Sequence, residues 1–247
     1  MTTLVSGFID LRKYDIVNRN QNSLAFKTLD FFLEKAKYVL KLPYPKVIFL
    51  EKENIDILKE YENENTVFVP FEKEDLFLWS HREEILKTKL PENRQFEKDT
   101  HDYMMVQLQK TDWVRRAIEL DHFKTEQFVW IDLGIYWIVK NQDIFDNGCA
   151  HLVNCSYDKV RIPGCWILGS GYSFDQILWY FCGGLFGGNK DNLLLFHDLV
   201  HKKCLEILSY GRWMWENNIW YLVYLDNNEL FDWYYGDHNI TMIQNYS

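Results

Sequence analysis

The order of apolar runs in this 247-residue chain predicts an α/β protein with a largely parallel sheet. Short apolar runs alternate with helix-period segments through the first half, in the order strand-helix-strand-helix-strand. Val47-Ile48-Phe49-Leu50 is an unbroken apolar run, as expected of a buried strand. Apolar residues make up 47% of the chain, enough for one sizeable core.

Residues 3–9 form the first run, closed by Asp10, and residues 18–22 read as a polar loop. From Ser23, a candidate N-cap, Leu24, Phe26, Leu29, Phe32, Leu33, Ala36 and Leu40 recur at helical spacing until Pro43 and Pro45 stop the pattern. Val47-Ile48-Phe49-Leu50 is a second strand, residues 55–61 a short acidic helix, and Thr66-Val67-Phe68-Val69 a third strand stopped by Pro70. Residues 75–91 are expected to be helical and 91–100 a charged loop. Residues 100–123 form a long amphipathic helix leading into the strand Phe128-Val129-Trp130-Ile131. The second half is less regular. Residues 160–162 and 165–168 look like strands, 183–188 like a glycine-rich turn, and 192–208 and 215–225 like helices, before an aromatic and polar tail. No repeat, low-complexity tract or linker divides the chain, so one domain is expected.

The net charge of -9 comes without any basic stripe, which argues against nucleic acid as a partner. Five cysteines at irregular spacing fit reduced thiols in a cytoplasmic compartment, bacterial or host. The first residues lack the basic head and long apolar run of a signal peptide. No uncharged run approaches the roughly 20 residues of a transmembrane segment. Aromatics form 17% of the chain, enough for stacking surfaces and for a homodimer interface.

Four segments have the residue types for chemistry. Asp132 ends a central strand, at the carboxyl edge where open α/β sheets bind ligands, and Gly134 follows it. The same position suits a helix-capping or turn Asp. Gly183-Gly184-Leu185-Phe186-Gly187-Gly188 lacks the spacing of a phosphate loop or dinucleotide fingerprint. It reads either as a tight turn or as a backbone wall for a ligand. Glu216 sits among Trp213, Met214 and Trp215. It is either an acid/base with a raised pKa or a solvent-facing helix residue. Asp237 and His238 in Gly236-Asp237-His238-Asn239 can hold a divalent ion or a diphosphate. His197 and His201 stand one helical turn apart but lack the Glu of the metalloprotease motif, and Cys149, His151 and Cys155 lack a fourth ligand, so neither set is read as zinc.

Taken in order, Leu4-Val5-Ser6-Gly7-Phe8-Ile9-Asp10 with Arg12, the helix carrying Tyr103 and Lys110, Trp130-Ile131-Asp132-Leu133-Gly134, the glycine-rich segment, Trp215-Glu216-Asn217 and Tyr235-Gly236-Asp237-His238-Asn239 resemble the HtrL/YibB-like group of glycosyltransferases, with bacterial and giant-virus members. The resemblance spans most of the chain, and its most specific parts are the Trp-Ile-Asp-x-Gly and Tyr-Gly-Asp-His-Asn segments. It implies a GT-A-like fold, with a nucleotide-binding half over residues 1–134 and an acceptor-binding half over 135–247. It implies transfer of a sugar from a nucleotide-sugar donor, a UDP-sugar being favoured, to a hydroxyl on a glycan or glycoprotein acceptor, assisted by Mn²⁺ or Mg²⁺. Gly7, Phe8, Asp10, Arg12, Lys110, Asp132, Gly183 and Gly184 would bind the donor. Asp132 and Glu216 would be catalytic, and Asp132, His238 and Asp237 would hold the metal. Where GT-A enzymes have Asp-x-Asp, this chain has Asp132-Leu133-Gly134. The missing second carboxylate keeps an alternative open, an inactive nucleotide- or carbohydrate-binding protein.

Overall fold

The computed structural model describes residues 1–11, 29–169 and 171–246; Arg12 and the Ser23 cap lie outside the described residues. One seven-stranded sheet runs through both halves of the chain, in the order β3-β2-β1-β4-β6-β5-β7. Its strands are β1 (Thr2–Phe8), β2 (Lys46–Leu50), β3 (Thr66–Pro70), β4 (Gln127–Ile131), β5 (Val160–Gly164), β6 (Leu185–Asn189) and β7 (Phe231–Tyr235). The first four are parallel; β6 runs antiparallel to both β4 and β5, and β7 lies parallel to β5. The expected α/β architecture is therefore present, as a mixed sheet flanked by helices.

Because strand side chains alternate between faces, each apolar run feeds two cores. Val5, Val47, Phe49, Phe128 and Trp130 face one side, where they meet helices α4 (His101–Leu120), α7 (Lys190–Ser209) and α8 (Glu216–Asp226). Leu4, Ile48, Leu50, Val129 and Ile131 face the other, towards α1 (Leu29–Leu40), α2 (Lys52–Leu58), α5 (Tyr136–Val139), α6 (Gln142–Leu152) and α9 (Thr241–Gln244). The short α3 (Arg82–Ile85) lies outside this layering, with its one buried residue, Ile85, in the first core. Helix α4 starts where Thr100 Oγ1 accepts from the Tyr103 N–H and stops at Asp121, whose φ of 43° is left-handed. It lies against β1 and β4, and its Trp113 stacks on Trp130 with ring centroids 5.5 Å apart.

Four sequence expectations need correction. Residues 75–91 hold one 3₁₀ turn, Trp79–His81, and the four-residue α3 instead of one helix; residues 86–90 lie beyond α3 and lead into Pro91. Residues 165–168 are not a strand. The glycine-rich segment is a turn only at Gly183-Gly184; from Leu185 it is β6, inserted beside β4. A Cβ on Gly187 would strike Tyr246 and Val129, so the glycines there allow close packing and do not mark a turn. The aromatic tail contains the edge strand β7.

Candidate active site

Strand order reverses about β1 and β4: β2 and β3 lie to one side, β4 and β6 to the other. In open α/β sheets the crevice at such a switch point, outside the carboxyl ends of the strands, is where ligands bind. Asp132 follows directly from β4 at that edge. Its backbone N–H donates to the Gly184 carbonyl at 2.9 Å. Its side chain caps no helix: Oδ1 accepts from Trp130 Nε1 at 2.8 Å and lies 3.2 Å from Lys110 Nζ. The capping alternative is thereby removed. Gly134 is not needed for close approach, since a Cβ there would make ordinary contact with Phe32 at 3.6 Å.

Lys110 is the centre of the cluster. It projects from α4 and is 5% exposed. Its ammonium donates to the Gly183 carbonyl and to Glu216 Oε1, both at 3.0 Å, and pairs with Asp132. These partners match its three donors. Burial alone would lower the Lys110 pKa, but the Asp132 and Glu216 carboxylates outweigh it and the net shift is upward. Glu216 opens α8, where the helix dipole favours an anion. It is 1% exposed, and burial raises its pKa against the opposing pull of Lys110. Its Oε2 is buried and has no hydrogen-bond partner among the described residues. A solvent-facing Glu216 is therefore excluded. A Cβ on Gly183 would overlap Glu216 Oε1, so any larger residue would force the Glu216 carboxylate to shift. Asp132, with its side chain 39% exposed, is the member open to solvent.

The structure thus brings Asp132, Lys110, Glu216, Gly183 and Gly184 together. Of the other expected donor residues, Arg12 lies outside the described residues, and Gly7, Phe8 and Asp10 make local contacts in β1 or at its carboxyl end. Gly7 lies inside β1, where a Cβ would be 2.7 Å from the Trp113 indole, so its reason is packing. The Phe8 ring packs on Phe32 at 5.1 Å. Asp10 is buried past the end of β1, with its N–H donating to Glu51 Oε2 at 2.8 Å.

His238 and Asp237 belong to a different cluster, with Cys165 and Cys182; their four ligand atoms lie within 4.8 Å of one another and Asp132 is not among them. Cys182 Sγ is 2.8 Å from Cys165 Sγ and 3.6 Å from His238 Nδ1, which is 3.2 Å from Asp237 Oδ1. The hydrogen bond from Cys182 draws the Cys165 thiol down to about 6, and Cys165 in turn raises His238. A cavity of about 320 Å³ opens here, lined by Cys165, Trp166, Trp179, Asp237 and His238. An aromatic row connects the two clusters: Tyr103 contacts Trp215, Trp215 contacts Trp179, and Trp179 contacts His238, each with centroids 5.2–5.4 Å apart. The backbone connects them too, since Cys182, Gly183 and Gly184 are consecutive. Sequence reasoning missed Cys165 and Cys182. Their only local signal is position, one directly after Gly164 and the other directly before Gly183-Gly184.

The remaining decoys have structural explanations. His197 is buried, with Nδ1 3.4 Å from Thr111 Oγ1 and Nε2 3.8 Å from Asp112, and burial lowers its pKa to about 4. Cys149 is buried and its thiol pushed up to about 12. No helix among the described residues is long and apolar enough to cross a membrane.

No family model and no curated protein matches the sequence. Among solved structures, the chain is similar to the apo form of mouse xyloside xylosyltransferase 1, at 11% identity over 95% of this chain and 85% of that one, with a TM-score of 0.44. It is similar to 4-diphosphocytidyl-2C-methyl-D-erythritol synthase from Anaerococcus prevotii, at 9% identity over 99% and 92%, with a TM-score of 0.46. It is also similar to a cytidylyltransferase from Leptospira borgpetersenii, at 12% identity over 96% and 75%, with a TM-score of 0.41. With every score below 0.5, the functional reading rests on the chain's own residues.

Proposed function

We propose that the chain is a GT-A-like, nucleotide-sugar-dependent glycosyltransferase related to the HtrL/YibB-like group, with its donor site at the edge of β1 and β4. The observation that carries this reading is the buried Lys110 ammonium, fixed between Asp132 and Glu216 beside a glycine turn at the switch point. A departing nucleoside diphosphate develops negative charge, and a preorganised cation in a partly buried site stabilises it more than water does. Lys110 is that cation. Gly183 and Gly184 leave room for Glu216 and Met242 to pack against the turn, and the half-buried Trp179 offers a ring to a sugar.

Glu216 acts by positioning Lys110. Its burial and its ion pair leave it poorly placed to take a proton from an acceptor hydroxyl, so its role here differs from the expected base. Asp132 orients Lys110 through Oδ1 and directs Oδ2 to the donor. Mg²⁺ or Mn²⁺ fits this arrangement in the common way, with one protein carboxylate and the phosphates as ligands; Asp132 would hold it, and it would supply further charge neutralisation. A UDP-sugar is the favoured donor and a glycan or glycoprotein hydroxyl the acceptor.

One observation favours a second reading. Asp132 is the single carboxylate of its motif, and Lys110 already pairs with it, as suits a binding protein without turnover. Thermal-shift measurements with UDP-, GDP- and dTDP-sugars, each with and without Mn²⁺, followed by assay of nucleoside diphosphate release, separate the readings. Stabilisation with release supports the transferase, and stabilisation without release under any metal supports the binding protein. No stabilisation by any nucleotide rejects the transferase.

A further inference from the structure

We infer that Cys165, Cys182, Asp237 and His238 form a Zn²⁺ site that clamps the end of the sheet beside the Lys110 cluster.

The four residues come from three separate segments, and the backbone brings their ligand atoms together. Strands β5 and β7 run parallel with Gly164 opposite Tyr235, so Cys165 and the turn of Gly236, Asp237 and His238 leave the sheet at the same edge. Gly164 also bridges Phe181 in antiparallel fashion, which brings Cys182 alongside. Three backbone hydrogen bonds fix the arrangement: Cys165 N–H to the Tyr180 carbonyl at 3.0 Å, Cys182 N–H to the Pro163 carbonyl at 2.9 Å, and Gly236 N–H to the Gly164 carbonyl at 3.1 Å. The ligand positions are thus set by sheet pairing, and only side-chain rotation remains.

The donor set selects the metal. Two thiolates, an imidazole and a carboxylate suit zinc, whereas Mg²⁺ and Mn²⁺ prefer oxygen. Ordinary zinc bond lengths place tetrahedral ligand atoms roughly 3.3–3.8 Å apart. The Cys182–His238 and His238–Asp237 separations of 3.6 and 3.2 Å are close to that. The two sulfurs, at 2.8 Å, need to open by about 1 Å. Four protein ligands complete a tetrahedron, the arrangement of structural sites. The cavity beside His238 and Asp237 gives the ion a way in.

The consequence reaches the other cluster through three consecutive residues. Cys182 would be a zinc ligand, the Gly183 carbonyl accepts from Lys110, and the Gly184 carbonyl accepts from the Asp132 N–H. Zinc would hold this turn, and with it the seat of Lys110. The site does not depend on the transferase reading, and its test is metal content.

The protein is stripped with chelator under reducing conditions, reloaded with Zn²⁺ or Co²⁺, desalted and assayed for metal. One zinc per chain retained, and thiolate-to-cobalt charge-transfer absorption with Co²⁺, are expected. Cys165→Ser and His238→Ala should each weaken zinc binding at least about 100-fold, beyond the 10–100-fold typical of residues that merely support ligands. His238 is partly exposed, so a native circular-dichroism spectrum for His238→Ala separates ligand loss from unfolding. Zinc lost on desalting, cobalt spectra without thiolate bands, or full zinc retention by His238→Ala overturns the site. So does a Cys165–Cys182 disulfide in the reduced and reloaded protein, which would make the pair a redox couple.

Discussion

Two clusters share the Gly183-Gly184 turn, and they are built in opposite ways. The Lys110 cluster takes its side chains from α4 and α8 and from the end of β4. Two of its three charged members, Lys110 and Glu216, are almost wholly out of water, and it works through charge. The cysteine and histidine cluster sits on strand ends, with the Asp237 and His238 side chains near half exposure, and carries soft ligands. The difference teaches where rigidity comes from. Helices seated on a buried parallel sheet can hold a desolvated ion pair in one geometry, whereas loops at a sheet edge need a cross-link to do the same.

If that contrast is right, the largest effect falls on Lys110. Lys110→Met leaves Glu216 buried without a counter-charge and should cost about 3–5 kcal/mol in urea unfolding. Lys110→Met combined with Glu216→Gln should recover most of that stability without restoring nucleotide binding. A cost for Lys110→Met no greater than that for His238→Ala would break the comparison.

The next effect contrasts two histidines. His197 is held near pKa 4 by burial on α7, against 6.5 for an ordinary histidine, while His238 at the sheet edge is raised. Between pH 6.5 and 4 the unfolded chain takes up a proton at His197 that the folded chain refuses. Stability contributed by this group therefore falls as pH drops through that window, by about 3 kcal/mol in total. His197→Gln should flatten that part of the pH–stability curve, and an unchanged curve would show that His197 is not the group responsible.

A smaller loss, about 1–3 kcal/mol, is expected for Gly183→Ala, because the added methyl pushes against Glu216 Oε1. Its Tm and its nucleotide-induced shift should fall together, which would tie the turn to the Lys110 seat. The smallest stability effect belongs to Asp132→Asn. Its partly exposed ion pair is worth within about 1 kcal/mol, yet donor turnover should disappear. A variant that retains turnover would reduce Asp132 to a structural role.

Much of the Lys110 cluster was legible in the sequence. Asp132 was marked by the apolar run it ends, Glu216 by its tryptophan neighbours, Gly183 and Gly184 by the glycine-rich segment, and Lys110 by family resemblance. What stayed hidden was Lys110's central place and Glu216's depth of burial, since both depend on how α4 and α8 cross the sheet. In the second half the sequence reading was poorer. Glycines that serve close packing in β6 look locally like a turn, and β7 is an edge strand whose aromatics alternate between core and solvent.

The sequence by itself determined the parallel core strands and four of the five longer helices, α1, α4, α7 and α8 but not α6, because apolar periodicity is a local property that burial enforces directly. Only the tertiary structure decided that Cys165, Cys182, Asp237 and His238 meet. That meeting depends on β5 pairing with β7 and on the Gly164–Phe181 bridge, contacts between segments far apart in the chain that no local pattern records. The same pairing separates His238 and Asp237 from the group around Asp132, which is why a chain-end histidine expected beside Asp132 is found among thiols.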